Sequence, residues 1–376
     1  MGGVNLSILG ENILTLKHHK NHYNVKLLSG YGLSVKLKNN HLVLTDGYNP
    51  FTDEQQKEEW FITQIPYEKI VISGKGYLST EAISLLCENN KNIVLTDSSG
   101  HPVSLINGCM DSMTATRYRM GQYDTFRNHD KRKYLCQQIV KAKLESQIRF
   151  IKSLKRDDSS DVLSKLQGNI KKVDSDDAEK VEATSANVYF RYYTTLFDPK
   201  FKFDSRNQPA IGNKKRRASD PINALLNYGY SVLAGQISKY VTGIGLDPYF
   251  GFMHKQHTGY QPLVYDIMEP FRWLVESAIY HVTNTNDFRH CIRMKDFAWT
   301  RDGSVVLSNE IKRKFLEKLE RNFQQDRQFH FKHGRKNTHD MSMCKEITIT
   351  KIVIQNLAEY CVEKINHNDI GLSACL

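Results

Sequence analysis

The chain lacks the features that mark secreted and membrane-bound proteins. Its seven cysteines are an odd number, lie far apart and include no CxxC pair, which argues against a disulfide framework or a zinc ribbon. No apolar run is long enough to span a bilayer, and the first residues lack the basic start and apolar core of a signal peptide. We therefore expect a cytoplasmic protein with no membrane partner.

Arginine is absent from the first part of the chain. Residues 1–105 contain nine lysines, ten acids and no arginine, whereas the whole chain of 376 residues has a net charge of +11. The basic excess therefore lies in the later part, where arginine begins at Arg117. Guanidinium groups suit bidentate contacts with phosphate, so the later part is the predicted nucleic-acid surface, although solvated basic helix faces have the same composition.

The length and the periodicity predict two domains, because 376 residues exceed the size at which one core usually suffices. Residues 1–105 show short alternating runs separated by turn residues, followed by a helical run with Ser79 as its cap. Residues 106–376 change to helical periodicity, as in Lys131–Leu154. The predicted fold class is α+β, with an N-terminal small β-sandwich domain followed by a larger all-α domain.

The stretch GLDPYFGFMHKQHTGYQPLVYDIMEPFR, Gly245 to Arg272, holds the strongest chemical signal. His254 closes a loop rich in Gly and Pro, and Asp266 and Glu269 stand three residues apart, on one face of a predicted helix. Such groups can converge on a hard cation. Acids in a first helical turn also complement the helix dipole with no metal present. Pro270 predicts a kink beside the two carboxylates.

A third acid, Glu182, lies on an otherwise apolar helical stripe. The stripe follows helical spacing and consists of Glu182, Ala186, Tyr189, Tyr193 and Leu196. A carboxylate among core residues is costly to desolvate unless a cation pairs with it. A metal ion and an arginine are equally suitable partners at this point.

Three polar segments interrupt the helical pattern. Arg156–Asp177 is interpreted as an exposed connection between helices, and Lys200–Asp220 as a basic loop close to the active site. Gln324–Asp340 mixes phenylalanines with basic residues, which suits either stacking on unpaired bases or a flexible loop. The predicted DNA-binding residues are Lys143, Lys214, Lys215, Arg216, Arg217 and Arg272.

These motifs resemble those of the CRISPR-associated adaptation integrases, which insert new spacers into a CRISPR array. The features that carry the resemblance are a glutamate with a following Tyr-Phe pair, a GLDP loop ending in histidine, and an acid pair ending in E-P-F-R. They correspond here to Glu182 with Tyr189-Phe190, Leu246–His254, and Asp266 with Glu269 through Arg272. The resemblance extends over nearly the whole chain, including Pro221–Ala234 and Ile347–Cys361.

The resemblance implies a metal-dependent DNA enzyme. Glu182, His254 and Glu269 would hold Mg²⁺ or Mn²⁺, and Asp266 would complete the shell or handle a proton. A DNA 3′-hydroxyl would attack a phosphodiester, and water in its place would give nuclease activity at the same site. The implied substrates are double-stranded DNA with 3′-hydroxyl ends and a CRISPR repeat or transposon target.

The resemblance also implies an assembly. The protein would be a homodimer that works with a small dimeric CRISPR-associated partner protein, and residues 1–105 would serve in dimerisation or partner docking. Two alternatives stay open. A casposase is a transposon integrase of the same family and often carries an added C-terminal helix-turn-helix, which is not evident here. A DNA-binding scaffold would keep the fold without catalysis, and the four metal-suited residues argue against it.

Overall fold

Two units make up the chain, Met1–Cys109 and Met110–Leu376. The structure, a computed structural model, describes residues 25–48, 55–67, 69–89, 91–96, 102–106, 113–206, 218–255, 260–287, 289–332 and 339–365. No helix within these ranges is long and apolar enough to cross a membrane.

The first unit is built on a mixed β-sheet. Its elements are β1 (Val25–Lys38), β2 (His41–Thr45), β3 (Lys57–Trp60), β4 (Lys69–Leu78), α1 (Thr80–Glu88), β5 (Asn92–Thr96) and β6 (Pro102–Ile106). The strand order is β3-β2-β1-β4-β5-β6, with β4 parallel to β1 and to β5 and the other pairs antiparallel. The described strands of this unit thus join one sheet, where a sandwich would have two facing sheets.

Helix α1 lies against this sheet and begins where the sequence predicts. Ser79 accepts a hydrogen bond from the backbone N–H of Ala82, which satisfies one of the free donors of the first turn. Buried Ala82 and Leu86 face a core formed with Leu28, Val35 and other strand residues. The Ser79 cap is therefore confirmed.

The second unit is mostly helical, so the predicted α+β order of domains is confirmed. Its helices are α2 (Met113–Arg127), α3 (His129–Ser153), α4 (Ser160–Lys172), α5 (Ala178–Thr194), α6 (Pro221–Ile244), α7 (Pro262–Met268), α8 (Arg272–Asn284), α9 (Asn309–Phe323) and α10 (Glu346–Cys361). It also contains two hairpins, formed by β7 (Ala298–Trp299) with β8 (Val305–Val306) and by β9 (Asp326–Lys332) with β10 (His339–Lys345). The domain is therefore not purely helical.

Helix α3 lies at the centre of this unit. It packs against α4, α5 and α8, and against the turn between α7 and α8. Leu135, Ile139, Leu144 and Ile151 are almost fully buried, as their spacing predicts. A helix covered on several sides can carry a polar residue into the interior, and α3 does so at Lys143.

The prediction of an exposed connection at Arg156–Asp177 is wrong. Helix α4 occupies Ser160–Lys172, and its Val162 and Leu166 are buried in the main core. The two apolar residues stand four apart and so share a helix face. The surrounding Asp, Ser and Lys residues hid this short apolar face in the composition.

Candidate active site

The loop after α6 is held in place by α2 and by the start of α3. Gly245 ends α6 with φ of 102°, a left-handed conformation that glycine adopts without steric cost. The side chain of Gln122 donates to the carbonyls of Asp247 (2.8 Å) and Phe250 (2.7 Å) and accepts from the backbone N–H of Asp247 (2.8 Å). Arg132 donates to the carbonyl of Phe252 at 2.7 Å. These bonds fix the path of the chain that delivers His254.

Asp266 holds the end of the same loop in place through hydrogen bonds to its backbone. It is fully buried on α7, and its oxygens accept from the backbone N–H groups of Phe252 (2.5 Å), Met253 (3.1 Å) and His254 (2.9 Å). Gly251 permits this approach, since a Cβ there would lie 2.7 Å from Asp266 Oδ2. With a further bond to the imidazole of His254, both carboxylate oxygens are used. Asp266 is thus built to position the loop and the histidine.

His254 presents one ring nitrogen to Asp266 and the other to Glu269. Nδ1 lies 2.7 Å from Asp266 Oδ1, and because a carboxylate only accepts, Nδ1 is the protonated nitrogen of the neutral ring. Nε2 lies 3.7 Å from Glu269 Oε1. Burial lowers the pKa of His254, but the hydrogen bond and charge of Asp266, with the charge of Glu269, outweigh it, so the pKa lies above its ordinary value.

Glu269 is a buried carboxylate surrounded by positive charge. It begins the 3₁₀ turn that contains Pro270, so the break that Pro270 predicts is confirmed. Arg272 Nη2 lies 2.7 Å from Oε1, and Lys143 Nζ lies 2.6 Å from Oε2. Burial raises its pKa, but the charges of Arg272, Lys143 and His254 together hold the pKa at about 2. Glu269 is therefore ionised at neutral pH.

Glu182 reaches the same place from α5, through Lys143. The sequence predicted a metal ion or an arginine as the partner of Glu182. In the structure the partner is a lysine, since Lys143 Nζ donates a hydrogen bond to Glu182 Oε1. Lys143 is only 5% exposed. The sequence had assigned it to the DNA surface, but its ammonium is buried and paired with Glu182 and Glu269.

Within the described ranges, no three His, Cys, Asp or Glu side chains lie together as a metal-binding group. The pairings above explain this, since Asp266 takes one imidazole nitrogen and Lys143 stands between the two glutamates. The donors nevertheless fit a hard cation. Glu182 and Glu269 each direct an oxygen at one positively charged atom, the ammonium of Lys143, and two carboxylate oxygens directed at one cation are a donor set that a hard metal ion accepts. The metal set of Glu182, His254 and Glu269 stays a prediction.

A second buried carboxylate adjoins this site and was not found from the sequence. Glu276, on α8, is fully buried and accepts from the hydroxyls of Tyr189 (2.5 Å) and Tyr230 (2.6 Å). The guanidinium of Arg272 lies 4.8 Å from the centre of the Tyr230 ring. Glu276 follows Arg272 by four residues within an apolar helix, and a lone acid in such a helix was the signal available.

The other predicted DNA contacts have different outcomes. Arg272 is largely buried, and its guanidinium pairs with Glu269. The basic cluster Lys214, Lys215, Arg216 and Arg217 lies outside the described residues. The segment Gln324–Asp340 contributes strand β9 and the beginning of β10, and Phe329 is buried in the core. One of its two phenylalanines is thus structural.

Comparison with known proteins assigns the family. The family model described as CRISPR associated protein Cas1 matches residues 27–321. The chain belongs to the Cas1 family. Its curated relatives include CRISPR-associated endonucleases of Archaeoglobus fulgidus, 30% identical over 226 residues, and of Korarchaeum cryptofilum, 27% identical over 280 residues. The match with the Archaeoglobus protein covers 54% of this chain and 64% of that protein, and the match with the Korarchaeum protein covers 69% and 77%.

Solved structures share the fold of this Cas1-family chain. A casposase bound to integration product has a TM-score of 0.79 and 23% identity, with coverage of 92% of this chain and 93% of the casposase. At that identity the likeness concerns the fold alone.

Proposed function

We propose that the chain is a metal-dependent DNA integrase and endonuclease that inserts protospacer DNA into a CRISPR array. The observation that carries the proposal is that Glu182 and Glu269 share the ammonium of Lys143 while His254 Nε2 lies 3.7 Å from Glu269, in a member of the Cas1 family. A carboxylate from helix α5, a second from the 3₁₀ turn after α7 and an imidazole from a braced loop are groups suited to metal-assisted phosphoryl transfer.

Glu182, Glu269 and His254 would hold Mg²⁺ or Mn²⁺. When bound, the ion supplies charge to offset the scissile phosphate and lowers the proton affinity of an attacking DNA 3′-hydroxyl or water. A 3′-hydroxyl gives strand transfer, in which one phosphodiester forms as another breaks, and water gives hydrolysis at the same site. One site thus accounts for both integrase and nuclease activity.

The surrounding residues prepare these groups. Asp266 holds the proton of His254 on Nδ1, which leaves Nε2 as a base or ligand. Arg272 orients Glu269 through Oε1, and the Tyr230 ring supports the guanidinium. Both carboxylate oxygens of Asp266 accept hydrogen bonds from the loop and from His254. Asp266 therefore acts here as a positioning residue and not as a further ligand of the metal ion.

The proposed substrates and partners follow the family. Double-stranded DNA with 3′-hydroxyl ends would be joined to repeat-containing DNA by a homodimer, together with a small dimeric partner. A Cas6-RT-Cas1–Cas2 complex shares the fold, with a TM-score of 0.70 and 19% identity. The match covers 92% of this chain and 36% of the chain in that complex. The likeness is compatible with a partner, and the assembly belongs to the proposal.

A casposase is the second candidate, favoured by the fold match to a casposase with its integration product. The two sequence relatives described above are named CRISPR-associated endonucleases, which favours the CRISPR role. A non-catalytic scaffold is the third candidate. It would not require two buried or half-buried glutamates and a braced histidine to converge.

A strand-transfer assay tests these candidates. A labelled DNA with a 3′-hydroxyl end is incubated with a supercoiled plasmid carrying candidate repeats, with Mn²⁺ or EDTA and with wild type or His254→Ala. We expect joining that requires Mn²⁺ and His254, with insertion at the repeats. Insertion at transposon targets would favour a casposase. Binding of DNA without joining or cleavage under every condition would leave the scaffold.

A further inference from the structure

Lys143 is a buried cation in the second unit. It stands in the middle of α3, 5% exposed, between Ala142 and Leu144, which are buried in the core. Its ammonium contacts Glu182 Oε1 and Glu269 Oε2. The two carboxylates therefore hold the ammonium at the point where they meet.

The charges around this point explain what Lys143 does. Two ionised carboxylates brought together in a region of low dielectric repel each other, and one cation between them removes much of that cost. Arg272 offsets charge at Oε1 of Glu269 and also interacts electrostatically with Glu182, while Lys143 contacts Glu269 Oε2 and Glu182 Oε1 directly. A divalent ion bound by the same two carboxylates must therefore share or displace this ammonium.

We propose that Lys143 is an internal cation that positions Glu182 and Glu269 and competes with the divalent ion for their oxygens. This inference rests on the proposed function. It adds that competition from Lys143 limits the affinity of the site for the divalent ion. Ion affinity is then set by the position of Lys143 as well as by the donors. Displacement of the ammonium would accompany loading of the site.

Direct measurement of Mn²⁺ binding tests the competition without an activity assay. The full-length wild type and Lys143→Gln are titrated with Mn²⁺, and free Mn²⁺ is read from its paramagnetic resonance signal. The glutamine keeps N–H donors for both carboxylates and loses the charge. We expect Lys143→Gln to bind Mn²⁺ at least about fivefold more tightly, because a unit charge next to the ion is removed.

Two controls separate charge from other effects. Lys143→Arg keeps the charge and should stay within about threefold of wild type. Lys141→Gln removes a cation from the same helix, one that pairs at 2.7 Å with the exposed carboxylate of Asp174, and should leave the affinity unchanged. If Lys143→Gln fails to fold, the pair Glu182→Gln and Lys143→Gln/Glu182→Gln makes the same comparison with one carboxylate neutralised.

The outcomes distinguish this inference from the proposed function. Equal or weaker Mn²⁺ binding by folded Lys143→Gln overturns the competition, while metal-dependent joining by wild type would still support the enzyme. Absence of Mn²⁺ binding by wild type and by every variant overturns both. Tighter binding by Lys141→Gln as well would reduce the effect to net charge and also overturn the inference.

Discussion

Glu269 and Glu276 are two buried carboxylates seven residues apart, and their surroundings are opposite. Glu269 is 2% exposed and contacts the charged groups of Lys143 and Arg272. Glu276 is 0% exposed and accepts hydrogen bonds from two tyrosine hydroxyls. Burial raises the pKa of both, but the cations hold the pKa of Glu269 at about 2, whereas the pKa of Glu276 stays above its ordinary value.

The difference shows how one short segment serves two purposes. Glu269 is kept ionised by cations and can exchange one cation for another, which suits a group that binds a metal ion. Glu276 joins α5, α6 and α8 through hydroxyls that carry no charge to exchange. Arg272 connects the two, since it pairs with Glu269 and lies over the ring of Tyr230.

The largest expected effect is the difference in strand-transfer activity between Glu269→Gln and Glu276→Gln. Glu269→Gln is expected to lower strand transfer by a factor on the order of 10²–10³, because it removes charge from the proposed reacting centre. It should also cost about 3 kcal/mol of stability, because two buried cations lose part of their partner. Glu276→Gln should lower strand transfer by no more than about tenfold.

Rates of strand transfer at saturating Mn²⁺ and urea unfolding of the same preparations measure this contrast. Thermal midpoints confirm that each variant is folded at the assay temperature. Equal losses of activity in the two variants would break the distinction, since they would mean that Glu276 acts on the reacting atoms or that Glu269 acts only on the fold.

The candidate metal-binding residues were easier to predict from the sequence than the side chains that pair with them. Spacing and the family resemblance identified Glu182, His254, Asp266 and Glu269, because loops ending in histidine and paired acids are local patterns. Lys143 lies 39 residues before Glu182 and was interpreted as a surface cation. Ion pairs between distant helices depend on packing, which local periodicity does not contain.

For the fold as well, local features were predictable from the sequence and the pairing of distant segments was not. Periodicity gave the order of a β region and a helical region, and Ser79 and Pro270 fixed local boundaries through backbone chemistry. The pairing of the strands in one sheet was not accessible, because alternation tells which face of a strand is apolar and not which strand lies beside it. Helix α4 was hidden by its polar composition.

The pH dependence of stability should have opposite signs at the two carboxylates. Because the pKa of Glu269 is lowered to about 2, its contribution is fully present above its ordinary pKa of 4.5 and is lost as pH falls towards 2. Because the pKa of Glu276 is raised, its contribution is present below 4.5 and is lost as pH rises through the folded pKa. The two groups therefore affect stability in different pH windows.

Urea unfolding of wild type and each glutamine variant over a pH series measures these windows. Relative to wild type, Glu276→Gln should gain stability as pH rises above 4.5, with a slope of at most about 1.4 kcal/mol per pH unit. The deficit of Glu269→Gln should be constant at neutral pH and shrink below 4.5. A Glu276→Gln difference that does not vary with pH would mean that Glu276 titrates as it does in the unfolded chain.

The smallest effect should come from one hydroxyl of the Glu276 network. Tyr230→Phe removes the donor to Glu276 Oε1 and keeps the ring under Arg272, so it should cost about 1 kcal/mol of stability and leave the Mn²⁺ affinity unchanged. Tyr228→Phe is the matched control on α6, since the Tyr228 hydroxyl has no hydrogen bond to a described residue, and it should be nearly neutral. A change in Mn²⁺ affinity with Tyr230→Phe alone would show that the hydroxyl network also sets the position of Glu269, because Arg272 is the group through which Tyr230 can reach that carboxylate.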